Sequence, residues 1–290
     1  MKNSRGRRLL ASSALLVSGL AAAACSDDWA PHPHVALPAG QCPPAAQGQP
    51  TSPCFDVIAD FETPYFAMVN GRSGGWFTYD DMSLNGPDGG PSPAAIQYAP
   101  GAEVVPAHQT FPPMSPSGKA LHAQASAYPG SFGSGLGTNL HSVPNPGGYH
   151  AEPYDASRYD GVILWAKRGS TPGVSSSVRV QITTVATDSD YASHFGSGSP
   201  LYGATTKDAR ACDPNPGSTV RCDDDYSIVL SLLSDWGEPF KFTWSDLHQQ
   251  GFGRVPPEGF SPKELITIKF TNAQGQAFDE WFDDIAFYKQ

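Results

Sequence analysis

Positive charge is scarce in this chain, with 18 lysines and arginines against 28 aspartates and glutamates and a formal net charge of −10 at pH 7. Four of the basic residues, Lys2, Arg5, Arg7 and Arg8, precede the first apolar run, so the remainder keeps 14 against the same 28 acids. A surface this poor in cations cannot neutralise a run of phosphates, which excludes nucleic acid as a partner. Long apolar stretches are missing too: residues 9–20 form an apolar run too short to span a bilayer comfortably. Helical periodicity is not sustained anywhere. Only residues 244–250 offer a helical turn, with Ser245 and Asp246 placed to cap it and Gly251 to stop it. No H-E-x-x-H, P-loop or dinucleotide fingerprint occurs. Gly71-Arg72-Ser73-Gly74-Gly75 has the form G-x-S-x-G, but a nucleophile elbow leads from strand into helix, and here a strand beginning at Trp76 follows. Internal repeats and a second composition regime are likewise absent, so one domain is the economical reading.

Glycine and proline are plentiful, at 30 and 28 residues, and they punctuate short apolar runs. Ten of these runs read as strands: 55–61, 75–80, 119–125, 135–141, 161–167, 177–185, 226–233, 240–244, 265–271 and 277–288. Their number and spacing predict an all-β sandwich. Between them lie long Gly/Pro/Ser loops, 82–117, 142–157 and 188–225, where a functional site is expected because unstructured loops of that length are otherwise uncommon.

The N-terminus has the plan of a secretory leader: a basic start, a short apolar segment and small residues before a cysteine. Ala22-Ala23-Ala24-Cys25 resembles the lipobox of bacterial lipoproteins, with Ala22 where leucine is usual. That implies a leader over 1–24, lipidation at Cys25 and a place in the cell envelope, on the outer membrane or cell surface; ordinary cleavage is the alternative. Arg7-Arg8 is a weak twin-arginine signal, since no phenylalanine follows at the expected place. Residues 25–54 read as a Pro/Ala-rich spacer, and its Pro31-His32-Pro33-His34 as solvated linker rather than metal site. The domain proper spans 55–290 and is expected to be a monomer. With Cys25 assigned to lipid, four cysteines remain, and short spacing pairs Cys42 with Cys54 and Cys212 with Cys222. A four-cysteine zinc site is disfavoured because neither pair has a zinc-ribbon gap.

Two acidic strand ends stand out. Val57-Ile58-Ala59-Asp60-Phe61-Glu62 opens the domain, and Gln276-Ala277-Phe278-Asp279-Glu280-Trp281-Phe282-Asp283-Asp284-Ile285-Ala286-Phe287-Tyr288 closes it. Strict alternation along the second would place Trp281, Asp283, Ile285 and Phe287 on the core side. If the first and last strands are neighbours, their carboxylates repel unless a hard cation such as calcium lies between them; the alternative is acids that merely solvate strand ends. Cys222-Asp223-Asp224-Asp225 reads as a charged turn, with a second calcium site or a catalytic acid as alternatives.

Several motifs occur in a telling order: Asp60-Phe61-Glu62, Gly71-Arg72-Ser73-Gly74-Gly75-Trp76, Gly135-Leu136-Gly137, Tyr159-Asp160-Gly161-Val162-Ile163-Leu164-Trp165-Ala166-Lys167, the strand pair between Trp236 and Trp244, and Phe282-Asp283-Asp284-Ile285. Together they resemble the galactose-binding-like jelly rolls of bacterial carbohydrate-binding modules, over roughly residues 55–289. The resemblance implies a jelly-roll β-sandwich whose first and last strands share a structural calcium. Its ligands would be Asp60 or Glu62, the turn Ser117-Gly118-Lys119 through backbone oxygens, and Asp283 or Asp284. The catalytic domain that such a module usually serves has no counterpart within these 290 residues. Such modules hold sugars by aromatic stacking and hydrogen bonds, for which Trp76, Tyr79, Tyr149, Tyr154, Tyr191, His194, Tyr202 and Arg210 are the candidates, although tryptophans inside strands, Trp76, Trp165, Trp244 and Trp281, are more often core. The implied function is polysaccharide binding without catalysis. A structural or adhesive envelope protein that binds another protein, and a polysaccharide-acting enzyme, are the alternatives.

Overall fold

The computed structural model describes residues 42–61, 70–80, 97–98, 104–108, 117–125, 134–145, 148–196, 207–215, 218–273 and 275–290. The leader, Cys25, most of the spacer, Glu62 and Tyr202 lie outside them. Two antiparallel sheets face each other. The six-stranded sheet runs β13 (Phe240–Thr243), β10 (Gly161–Arg168), β15 (Phe278–Lys289), β6 (Leu121–Ala125), β3 (Gln97–Tyr98), with β1 (Cys54–Ala59) also on β15. The five-stranded sheet runs β12 (Tyr226–Ser231), β11 (Ser177–Thr184), β14 (Leu265–Asn272), β7 (Ser134–Asn139), β2 (Trp76–Asp80). Two small ribbons, β4 (Val104–His108) with β5 (Ser117–Lys119) and β8 (Ser142–Asn145) with β9 (Gly148–Ala151), complete the strands among the described residues. The all-β sandwich read from the sequence is the fold observed.

The core between the sheets is built by alternation. Val178, Val180 and Ile182 of β11, Ile268 and Phe270 of β14, and Leu136 of β7 point inward from one sheet; Val162, Leu164, Phe282, Ile285 and Phe287 point inward from the other. The rings of Phe270 and Phe282 meet across the gap at 4.4 Å. Each such side chain stabilises the sandwich by roughly 1.5–3 kcal/mol through burial.

β15 departs from strict alternation. It pairs with β10 from Glu280 to Tyr288, but its other neighbour is β6 over residues 278–282 and β1 over 285–289. Where the neighbour changes, four residues of β15, 283 to 286, are matched against three of β10, 163 to 165. This extra residue is a β-bulge, with Asp284 in the left-handed region at φ 45°. The bulge reverses the parity: Phe278 and Phe282 face the core before it, and Ile285 and Phe287 after it. Trp281, expected on the core side, instead joins Phe55, Val57, Ile163, Trp165, Trp236, Ala286 and Tyr288 in a second buried cluster on the other face of the six-stranded sheet. The same extra residue leaves Asp283 and Asp284 fully buried at the crossover.

One end of the core is polar. Arg72 donates to both oxygens of Asp56, at 2.7 and 3.0 Å, and to the carbonyl of Val57 at 2.6 Å. Asp56 also accepts from Asn70 at 2.6 Å and from the Tyr159 hydroxyl. Burial alone would raise the Asp56 carboxyl, but the Arg72 hydrogen bonds and charge, with Tyr159 and Asn70, hold it below its ordinary value. Both expected disulfides, Cys42–Cys54 and Cys212–Cys222, are formed. The first changes the reading of the spacer: its last part is fastened to the domain, with Arg158 donating to the carbonyls of Pro43 and Gly48.

Asp56→Asn is expected to destabilise the domain by about 3–5 kcal/mol, because it leaves the Arg72 guanidinium buried without its charge partner. The depressed carboxyl contributes stability above its unfolded value of 3.8 that is lost as pH falls through the lower folded value. Urea melts across the acid range should therefore show a shallower acid limb in the variant than in the wild type.

Candidate functional site

Alternation that sends apolar residues inward leaves the opposite parity of the five-stranded sheet facing out, and that face is a groove of about 1000 Å³. Residues from all five strands line it: Phe77 and Tyr79 of β2, Asn139 of β7, Thr267, Lys269 and Thr271 of β14, Ser177, Arg179 and Gln181 of β11, and Val229 of β12. At strand spacings of about 4.8 Å, five strands make it roughly 19 Å across.

Glycine makes room for the rings at one side. A Cβ on Gly137 would come within 2.8 Å of the Phe77 ring, and one on Gly135 within 2.7 Å of the Tyr79 hydroxyl, so both rings lie over a strip of β7 without side chains. The floor beside them is tied crosswise. Thr271 donates its hydroxyl proton to Gln181 Oε1 and accepts that of Tyr79. Arg179 donates to Ser227 Oγ at 3.1 Å, Thr267 to Asn139 Oδ1 at 2.9 Å, and Lys269 to Asp225 Oδ2 at 3.3 Å. Such ties fix rotamers before any ligand arrives, which reduces the ordering cost of binding. Burial pushes the Tyr79 hydroxyl up to about 12, so it stays a donor.

The far end is acidic. Asp188 caps α1 (Ser189–Phe195), accepting from the Tyr191 amide and from Thr183 Oγ1, each at 2.8 Å. Burial pushes Asp225 up to about 6, opposed by Lys269 and reinforced by Asp188. Burial acts to lower Lys269, and the charges of Asp225 and Asp188 outweigh it, so the ammonium is retained. Of the acidic run 223–225, Asp224 is structural: fully buried, it accepts backbone N–H groups of Gln250, Gly251 and Gly253 at 2.8–2.9 Å. Those bonds hold the loop that carries Phe252, over whose ring Arg221 lies at 5.8 Å.

Of the eight residues proposed from the sequence for ligand contact, Tyr79 lines this groove. Trp76 turns inward onto Phe61 and Phe270, as its position in a strand between outward Phe77 and the core dictates. Tyr154 is buried against Phe287, and its hydroxyl accepts from Arg72. Tyr191 and His194 lie on the buried side of α1, where Tyr191 donates to Asp208 and the His194 ring stacks on His150. Arg210 is tied to Asp208 and Glu264. Tyr149 is 73% exposed on the β8–β9 ribbon, and Tyr202 is outside the described residues. The sequence marks Arg179, Gln181, Lys269 and Thr271 only through polar alternation along β11 and β14, and nothing marks Phe77 of β2.

Some of the segments proposed to hold a cation are adjacent in backbone register. Ala59 pairs with Ile285 and Leu121 with Phe282, so Asp60 and Lys119–Ala120 flank the Asp283–Asp284 bulge from either side. Asp283 Oδ1 accepts from the Asp284 amide at 2.8 Å. Among the described residues no three His, Cys, Asp or Glu side chains form a metal-holding group, and Glu62, the alternative to Asp60 in the expected set, is not among them.

No protein-family model matches the chain, and no curated protein matches it. Solved structures do. The family 11 carbohydrate-binding module of a Clostridium thermocellum cellulosomal cellulase is 11% identical, covering 80% of this chain and 93% of that one at TM-score 0.41. The same organism's family 11 module in complex with a β-1,3-1,4-mixed-linked tetrasaccharide is 13% identical over 80% and 94%, also at TM-score 0.41. A cyclase from Fischerella sp. is 15% identical over 81% and 95%, at TM-score 0.31. Likeness at this level assigns no activity.

Lys269→Met should strand the Asp225 carboxylate beneath the groove and cost about 3 kcal/mol. The double variant with Asp225→Asn should recover most of that loss in a double-mutant cycle read by chemical denaturation.

Proposed function

We propose that the protein binds a polysaccharide without turning it over, the chain lying across the outer face of the five-stranded sheet. The observation that carries this is the groove itself: aromatic rings seated on glycine at one side, and across the rest a cross-tied floor of hydroxyl, amide, guanidinium and ammonium groups. Sugars present exactly those two needs in alternation, apolar C–H faces for rings and hydroxyls for paired donors and acceptors, and a groove that crosses every strand accommodates a chain rather than a single residue. The floor acids support binding over hydrolysis, since Asp225 is committed to Lys269 and Asp188 to Thr183 and the α1 amide. The lipid at Cys25 would tether this site to the cell envelope.

Calcium completes the proposal at the other sheet. The donors suit a hard cation: buried carboxylates of Asp283 and Asp284, with Asp60 and the backbone at Lys119 next to the paired segments; Glu62 is the further ligand proposed from the sequence. Bound there, it would neutralise acids gathered from both ends of the domain and stabilise the β15 crossover.

Affinity electrophoresis through gels containing soluble polysaccharides should retard the wild type. Phe77→Ala and Arg179→Ala should each weaken retention about tenfold, in line with a stacking or charge-assisted contact of about 1.4 kcal/mol, while Tyr149→Ala leaves it unchanged. Retention unaffected by both groove variants would place the ligand elsewhere, and release of reducing sugar would make the protein an enzyme. Separately, chelation should lower the melting temperature and calcium restore it, a ligand at a hundredfold excess over Kd adding about 2.7 kcal/mol; Asp284→Asn should abolish the shift.

A further inference from the structure

Three polar side chains point into the sandwich where β7 begins and β14 ends, behind the groove floor. Glu280 is fully buried, and Asn272 and Ser134 are each 1% exposed. Asn272 and Ser134 are cross-strand partners in the five-stranded sheet, while Glu280 comes from β15 in the sheet opposite. Asn272 Nδ2 donates to Glu280 Oε2 at 3.1 Å, a side-chain hydrogen bond from one sheet to the other. What should complement it is another donor. Glu280 Oε1, Asn272 Oδ1 and Ser134 Oγ are all buried without a hydrogen-bond partner among the described residues. An ionised carboxylate and an amide oxygen are both acceptors and cannot satisfy one another. The Ser134 hydroxyl carries a donor but reaches no partner among the described residues, whereas a carboxylic acid supplies the missing donor through its own O–H, and a neutral acid avoids the cost of burying an unpaired charge.

We propose that Glu280 is held as a neutral carboxylic acid and that its proton is a latch between the two sheets, released at alkaline pH. The surroundings act in the same sense. Burial, opposed by the Asn272 hydrogen bond and reinforced by the Asp279 charge, pushes the Glu280 carboxyl up to about 8. On β15, Asp279 is itself held by His122 of β6 and by Thr171. On β10, Arg168 stands opposite Glu280 in register but makes no ion pair with it, and on β6 its partner is Ala123. On β14, Lys269 is engaged by Asp225, and on β2 the Tyr79 hydroxyl is on the groove side while Asp80 stands across from Ser134 in register. The strands that carry the latch carry the groove on their other face: Thr271 and Ala273 flank Asn272, and Tyr79 lies over Gly135 beside Ser134.

Linkage sets the sign. With a folded value of about 8 against 4.5 for the unfolded chain, the stabilisation is complete below 4.5, falls as pH rises between the two, and is gone above the upper one. The test compares the full chain with Glu280→Gln, whose amide supplies the donor at every pH. The ratio of the wild-type folding constant to that of the variant should fall about tenfold per pH unit between roughly pH 5 and 8 and then level off. Amide exchange at residues 134–136 and 271–273 should accelerate above pH 8 in the wild type beyond its intrinsic pH dependence, and not in the variant. Infrared spectra at pH 7 should show a protonated-carboxyl band that the variant lacks. Parallel pH profiles for the two proteins, or the absence of that band, would overturn the latch. A stability gain from added cation at fixed pH that Glu280→Gln abolishes would also overturn it, assigning the three oxygens to a metal ion instead.

Discussion

The buried ion pair between Arg72 and Asp56 is the constraint around which the rest of the domain is arranged. Taking two charges out of water costs several kcal/mol per ion, and only close geometry with additional hydrogen bonds offsets it. Those bonds recruit distant parts of the chain: Asn70 from the segment before β2, Tyr154 and Tyr159 from the stretch leading to β10, and the Val57 carbonyl of β1. Each is fixed because the pair needs it. Asn70 in turn accepts from the Ala45 amide, and Arg158 grips the carbonyls of Pro43 and Gly48, so the strap before β1 is ordered by the same cluster. The aromatic stack of Tyr154, Phe287 and Tyr159 then carries that order into β15.

β15 responds to a second constraint, that one strand must serve two neighbours along the same edge. β6 ends its pairing at Phe282 and β1 begins at Ile285. The intervening bulge spends one residue to let the strand change partner while keeping apolar side chains in the core on both sides of the change. Asp284 adopts the left-handed conformation this requires, at some cost for a residue with a side chain. Two acids at the change of partner are therefore a local consequence of topology as much as a ligand set.

How much of this was legible in the sequence depends on the range of the interaction involved. The sandwich followed from short apolar runs between turn residues, and the disulfides followed from spacing, because both are local. The parity of β15 was not legible, since both faces of that strand are buried and alternation carries no sign when Trp281 and Phe282 are equally apolar. Helix α1 falls inside a stretch whose composition is that of a loop: seven residues hold few helical turns, and the one usable sign is Asp188 ahead of Ser189-Asp190-Tyr191 as an N-cap. The groove was sought in loops, yet it lies on a sheet face. Its residues are the polar half of strands whose apolar half announced the fold, and nothing in Arg179, Gln181 or Lys269 taken singly separates a binding floor from a solvated face. Only the register that brings five strands together does so.

The position of β15 also bears on how the molecule comes to exist. It pairs with β1, β6 and β10, and for β1 it is the one partner among the described residues. Without β15 the six-stranded sheet falls into separate pieces: β10 keeps β13, β6 keeps β3, and β1 has no partner among the described residues. Contacts this distant in sequence form slowly, because loop closure precedes any reward from pairing. A sheet built this way gains its cooperativity from pairing between segments roughly 200 residues apart, so its opening strand has no stable place until the distant one arrives.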